Sequence, residues 1–191
     1  GKAIRTECRG EVAVAADIVE FYGNLGSELK GQTVPYNPRM LTMTTREPLG
    51  VVAAIVPWNA EMFPAATKVG PALAAGNAVV IKASEIAPAP LLEFARVLDQ
   101  VGFPPGVVNL LTGFGEPCGR ALTSHPMVSK VAFTGGVDTA RQIVASTARN
   151  LAPVSLELGG KSPILVFDDA DLDGAVNGAV AGNFGASGQS C

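Results

Sequence analysis

Two side chains in this sequence carry the most direct chemical meaning. Cys191 closes the glycine-rich run Phe184-Gly-Ala-Ser-Gly-Gln-Ser-Cys191, and Glu157 opens Glu157-Leu-Gly-Gly-Lys-Ser-Pro163. A thiolate is a strong nucleophile and a carboxylate can deprotonate water, so the pair suits covalent catalysis followed by hydrolysis. A neutral amide stands in Pro57-Trp58-Asn59. At the end of a strand it can donate to a developing oxyanion, although alone such an Asn also reads as a turn residue.

Those groups need a frame. From Gly50 onward, short apolar segments at 51–56, 78–82, 107–111 and 131–134 alternate with helical stretches at 60–75, 89–101, 116–123 and 138–150. Strands so uniformly apolar are covered on both faces, and helical crossovers between them imply a parallel sheet. The pattern predicts a doubly wound α/β fold, whose ligands bind just beyond the carboxyl ends of the strands. Ahead of this block, apolar Val12, Ala15, Ala16, Val19 and Leu25 mark an amphipathic helix over 11–29. Segments 32–36 and 40–46, split by Asn37-Pro38-Arg39, read as a threonine-rich β-hairpin. After Pro153, strands are expected at 154–158 and 163–167. A helix from Asp171 follows, with Asp168 and Asp169 as its acidic caps.

Composition narrows the function classes. Hydrophobic residues make up 48% and charged residues 16%, which excludes a disordered chain. The net charge is −3 with scattered basic residues, so neither nucleic acid nor an anionic membrane is expected as a partner. No apolar run approaches the length of a bilayer span, and the first residues lack the apolar core of a signal peptide. Cys8, Cys118 and Cys191 are odd in number and widely spaced, which suits a reducing cytoplasm better than a disulfide framework. The single histidine, His125, lies in a turn-like Ser-His-Pro-Met and reads as a loop residue. The chain therefore lacks the parts of a His-based triad or a zinc hydrolase, and no metal is expected.

The residues that follow the strands suit a nucleotide. Lys82-Ala-Ser-Glu85 offers an ammonium for phosphate or ribose and a carboxylate for ribose hydroxyls, while its spacing alone fits a solvated loop pair equally well. Gly113-Phe-Gly115-Glu-Pro-Cys-Gly119 opens a helix, but its G-x-G-x-x-x-G spacing differs from the dinucleotide fingerprint. Cys118 inside it reads as a small packing residue. Phe133-Thr-Gly-Gly136 is a second glycine turn before a helix. Two such turns in succession favour a nucleotide.

The order of these features carries more than any one of them: Trp-Asn, Lys-x-x-Glu, Gly-x-Gly, Phe-Thr-Gly-Gly, Glu-Leu-Gly-Gly-Lys, then Gly-Gln-x-Cys. In this order the chain resembles the NAD(P)-dependent aldehyde dehydrogenase superfamily, from about Gly10 to Cys191. The resemblance implies a Rossmann-like NAD(P)-binding domain over 1–30 and 47–156, an oligomerisation hairpin over 31–46, and the start of a second α/β catalytic domain over 157–191. It implies that Cys191 is the nucleophile, Glu157 the general base and Asn59 the oxyanion donor, beside the backbone N–H of Cys191. Lys68 matches a family lysine implicated in proton relay. Lys82 and Glu85 are the implied ligands of the adenosine ribose. Val56, Pro57, Trp58, Ser84, Gly113, Gly115, Gly119, Phe133, Thr134, Gly135, Gly136, Leu158 and Gly159 are the implied cofactor wall.

The chemistry implied is oxidation of an aldehyde to a carboxylic acid through a thiohemiacetal and a thioester on Cys191. NAD is the expected cofactor, because the Glu85 carboxylate would repel a 2′-phosphate; NADP is possible where that acid moves aside. The implied partners are a small aldehyde and further copies of the chain, as a homodimer or homotetramer.

Two positions depart from the family pattern. Gly136 replaces a common serine, and Ala140 stands where a glycine often follows. The family chain also continues past its nucleophile, so this sequence is expected to be a fragment, inactive alone. A natural terminus at Cys191 would place an α-carboxylate on the nucleophile and disfavour its thiolate. Two other readings use the same parts: a nucleotide-binding module without turnover, and a CoA-acylating enzyme, a class that usually lacks this glutamate, so that Glu157 tilts against it. Of the substrate pocket, only Glu61-Met62-Phe63 and Ala186-Ser187 are placed to touch an aldehyde's tail, with Phe63 as tunnel wall or as ordinary core.

Overall fold

The computed structural model describes residues 2–191. Its centre is a parallel five-stranded sheet. The strands are β3 (Val51–Ile55), β4 (Ala78–Lys82), β5 (Val108–Leu111), β6 (Val128–Gly135) and β7 (Val154–Leu158), ordered β5-β4-β3-β6-β7. The connections are α2 (Met62–Ala74), α3 (Ala89–Val101), α4 (Arg120–Thr123) and α5 (Val137–Thr147).

Both faces of the sheet are covered, which is why the strands read as unbroken apolar runs. Val52, Ala54 and Val56 pack with Val79, Ile81, Val69 and Leu91 on one face. Ala53 and Ile55 pack with Val131, Phe133, Ala140 and Ile143 on the other. Ala140 thus seats a buried methyl group against the sheet.

The strand order reverses direction at β3, with β4 on one side and β6 on the other. The crevice beyond the carboxyl ends of β3 and β6 is therefore the expected ligand site.

Ahead of the sheet, α1 (Arg9–Leu25) lies against α2. Close contact is possible because Gly70 of α2 meets the ring of Tyr22; a Cβ there would lie 3.1 Å from it. The hairpin consists of β1 (Thr33–Val34) and β2 (Thr42–Met43), antiparallel and only two rungs long. Its apolar side chains Val34, Tyr36, Leu41 and Met43 are exposed. A two-rung ribbon with no face to bury gains little stability from its own contacts.

Three local expectations are corrected. Residues 163–167 form no strand: β7 has β6 on one side and no other described strand beside it, so this apolar stretch finds no ladder to join. The helix α6 (Leu172–Phe184) is capped by Asp171, whose side chain accepts from the Asp173 N–H, rather than by Asp168 or Asp169. The helix expected from residue 116 becomes regular only at Arg120, after a π turn over Gly115–Gly119 in which Glu116 is extended. Among the described residues, no helix is long and apolar enough to cross a membrane.

Candidate active site

A cavity of about 730 Å³ occupies the crevice at the point where the strand order reverses. Ile55, Val56, Pro57 and Trp58 line it from the end of β3, and Phe133, Thr134 and Gly136 from the end of β6. Lys82, Ser84 and Glu85 enter from β4, and Gly115 and Gly119 from the loop after β5. All of these except Ile55 were singled out in the sequence. Gly113 is not among the lining residues. At φ 153° it packs against Cys118, where a Cβ would lie 2.9 Å from the cysteine Cβ, so this glycine serves the loop itself.

Lys82 is buried, and its Nζ donates to the Ala83 carbonyl at 3.0 Å and to Glu85 Oε2 at 3.2 Å. A hydrogen bond from the Glu85 backbone, then the Lys82 ammonium, hold the Glu85 carboxyl below its ordinary value, with partial burial opposing them. Helix α5 begins on Gly136 with no side-chain cap, and a Cβ at Gly136 would meet nothing within 4 Å. Its first N–H groups are thus left to a ligand, as at other anion-binding helix starts. A buried ammonium, a carboxylate and an uncapped helix start around one cavity of about 730 Å³ fit a dinucleotide.

One feature of this wall was not read from the sequence. Thr139, Gln142 and Ser146 of α5 also line the cavity, with Arg149 just after that helix and Arg120 of α4. Their spacing places a polar stripe on the helix where a core-facing stripe is expected, and that mismatch was the available signal.

A second cavity of about 290 Å³ adjoins the first, sharing Trp58 and Thr134. Its wall is formed by Asn59, Gly135, Glu157, Leu158, Gly159, Gln189, Ser190 and Cys191. Cys191 and Glu157, 34 positions apart in sequence, therefore share one cavity with Asn59. Leu158, Gly159 and Gly135 belong to this smaller cavity rather than to the larger one.

The Gly160 N–H donates to the Cys191 carbonyl at 2.8 Å, tying the Cys191 segment to the turn after β7. Asn59 Nδ2 donates to the Gln189 carbonyl. That bond uses one of the two amide N–H groups and leaves the other for the cavity. Gln189 had not been singled out; a backbone acceptor leaves no signature in residue type.

Lys68 of α2 lines neither cavity. Its Nζ donates to Thr134 Oγ1 at 2.6 Å, and Thr134 is the register partner of Glu157 across β6 and β7. Burial lowers the Lys68 ammonium from its ordinary 10.5 to about 8, and the Glu157 carboxylate opposes the shift.

The family model for the aldehyde dehydrogenase family matches residues 1–191. The chain belongs to the aldehyde dehydrogenase family. It is 55% identical, along its whole length, to the (Z)-2-((N-methylformamido)methylene)-5-hydroxybutyrolactone dehydrogenase of Acinetobacter baylyi, of which it covers 39%. Among solved structures it is similar to PnpE from Pseudomonas sp. WBC-3, with a TM-score of 0.97 and 43% identity over all of this chain and 39% of that one. The NAD⁺ complex of an aldehyde dehydrogenase from Bacillus cereus also superposes with a TM-score of 0.97, at 39% identity, over 100% of this chain and 39% of that one. The chain thus spans about two fifths of the length of these relatives.

Proposed function

We propose that this chain forms the cofactor-binding part and the nucleophile segment of an NAD(P)-dependent aldehyde dehydrogenase that oxidises an aldehyde to a carboxylic acid. The observation that carries the reading is the shared wall of Cys191, Glu157 and Asn59, opening through Trp58 and Thr134 onto the dinucleotide-sized cavity.

Cys191 attacks the aldehyde carbon, forming a C–S bond. The carbonyl oxygen takes up negative charge against the free N–H of Asn59 and the Cys191 backbone N–H. A bound dinucleotide would supply a hydride acceptor, so that the thiohemiacetal on Cys191 can lose its hydride and become a thioester. Lys82, Ser84, Glu85, Gly115, Gly119 and Gly136 would hold it, with Val56, Pro57, Trp58 and Phe133 as the remaining wall. Glu157 then takes a proton from water. The hydroxide adds to the thioester carbon, the C–S bond breaks, and the acid leaves with Cys191 restored.

Lys68, with its lowered proton affinity and its bond to Thr134 beside Glu157, is placed to pass that proton onward. The Lys82–Glu85 pair favours NAD, because a 2′-phosphate would compete with Glu85 for the Lys82 ammonium.

The functional units are the cofactor-binding domain over 1–30 and 47–156, the arm over 31–46 and the catalytic segment over 157–191. The arm, with its exposed apolar side chains and open strand edges, pairs with another copy in a homodimer or homotetramer. The chain alone is expected to turn over no aldehyde, because it spans 39% of the length of its relatives and leaves Cys191 and Glu157 exposed.

The test is Glu157→Gln in the full-length enzyme containing this chain. Incubation with aldehyde and NAD is expected to leave an acyl adduct on Cys191, seen as added mass on the peptide that contains it. Steady-state acid production at the wild-type rate, with no adduct, would overturn the reading.

A further inference from the structure

Two glutamates outside both cavities hold the two loops that the proposed reaction uses. Glu7 lies in the π turn Ile4–Cys8 and Glu11 in the first turn of α1, one helical turn apart and so on one face.

Glu7 Oε1 accepts the Ala186 N–H at 2.8 Å. Its other oxygen accepts the Ala3 N–H at 3.2 Å. Ala186 and the following Ser187 are both left-handed, at φ 51° and 58°, which side chains with a Cβ rarely adopt. Such a turn persists only where its surroundings hold it, and a charge-assisted bond to Glu7 is one such hold. From this turn the chain runs through Gln189, which Asn59 grips, to Cys191.

Glu11 Oε1 accepts the N–H groups of Met62 and Phe63, at 2.8 and 3.1 Å. These are the first residues of α2, whose own N-cap residue, Glu61, provides no side-chain cap. Glu11 Oε2 pairs with Lys2, whose Nζ also donates to the Asn59 carbonyl at 3.4 Å. The pair is well shielded, with side-chain exposures of 20% for Lys2 and 10% for Glu11. Asn59 is thus held from one side by Lys2 and from the other by the fixed start of α2.

We propose that Glu7 and Glu11 are positioning residues: one helix face sets the separation between the loop that carries Cys191 and the loop that carries Asn59. The proposal rests on the reading of Cys191 as nucleophile and Asn59 as oxyanion donor. Neither glutamate touches substrate or cofactor. Their effect belongs to the chemical step and not to dinucleotide binding.

The experiment uses the full-length enzyme with Glu7→Ala, Glu7→Gln and Glu11→Ala. Single-turnover NADH formation, alkylation of Cys191 by iodoacetamide, the NAD dissociation constant and the unfolding midpoint are measured for each. Small misplacements of reacting groups are costly, so Glu7→Ala is expected to slow NADH formation by about tenfold or more. It should slow alkylation as well. NAD affinity should stay unchanged, and Glu7→Gln, which keeps a carbonyl acceptor, should recover most of the rate. Glu11→Ala is expected to slow NADH formation alone, because displacement of iodide develops no oxyanion and does not use Asn59.

Unchanged rates in both alanine variants would overturn the proposal. So would NAD affinity and the unfolding midpoint falling in step with the rates, which would mark a general loss of fold. If the wild-type enzyme oxidises no aldehyde, the functional reading fails and the Glu11 half with it. The alkylation arm would still decide whether Glu7 holds the Cys191 loop.

Discussion

The larger cavity comes from strand ends and helix starts of one regular βα block; the smaller one comes from four separated pieces of chain. In the first, Trp58, Lys82, Gly115 and Thr134 project from successive strand ends, so the sheet itself sets their spacing. In the second, residues 135 and 157 stand on the paired strands β6 and β7, but the segments around residues 59 and 191 are tied in by individual bonds: Asn59 to Gln189, Gly160 to Cys191, Glu7 to Ala186. A site built on a sheet is stable wherever the sheet is stable. A site tied by single hydrogen bonds can lose its geometry without losing the fold. The chemistry that needs the tightest alignment thus rests on the most separable contacts.

Three substitutions bear on that contrast. The largest effect is expected at the smaller cavity: Asn59→Ala should lower kcat by roughly 10²–10³ through loss of an oxyanion donor. NAD affinity, measured by fluorescence titration, should hold. Equal losses in both quantities would mean that the two cavities are not separable.

The next concerns Lys68, whose Nζ donates to Thr134, a residue of both walls. Its proton affinity is lowered from 10.5 to about 8 in the fold, so the unfolded chain binds more protons between those pH values and native stability rises across that window. Below pH 8 the cost of burying the charge is present in full. Lys68→Met removes that cost, so the stability difference between variant and wild type should fall by about 3 kcal/mol between pH 7 and pH 10.5. Denaturant melts across pH measure it, and parallel curves for the two proteins would remove the buried ammonium from the account.

The smallest effect belongs to the larger cavity. Glu85→Gln should improve NADP affinity relative to NAD by about tenfold, by removing one charge repulsion, and leave acylation of Cys191 unchanged. An unaltered NADP to NAD ratio would shift cofactor choice to other wall residues, Arg120 and Arg149 first.

Much of the fold was legible because burial on both faces leaves a plain record. The strands at 78–82 and 154–158 and the helix at 89–101 stand where the apolar runs and helical spacing put them. The segment at 163–167 shows the limit of that record, since apolar residues alone do not supply a neighbouring strand. The site divides in the same way. Lys82, Glu85 and the glycine turns were recognisable because their chemistry and their place after strands coincide. Gln189, Glu7 and Glu11 were not. Gln189 acts through its carbonyl, and the two glutamates accept N–H groups from residues 51 or more positions away, one of them 179 away.

The sequence by itself determined the alternation of strand and helix, the parallel sheet and the residue types able to act as nucleophile, base and donor. Local periodicity and side-chain chemistry are properties of the chain, and they need no long-range contact to be read. Only the tertiary structure decided that residues 59, 157 and 191 share a wall, that Asn59 spends one of its two amide N–H groups on Gln189, and that a single helix face reaches both loops. Those outcomes depend on closing long loops and satisfying particular backbone groups, and many chains with the same local pattern could close them differently.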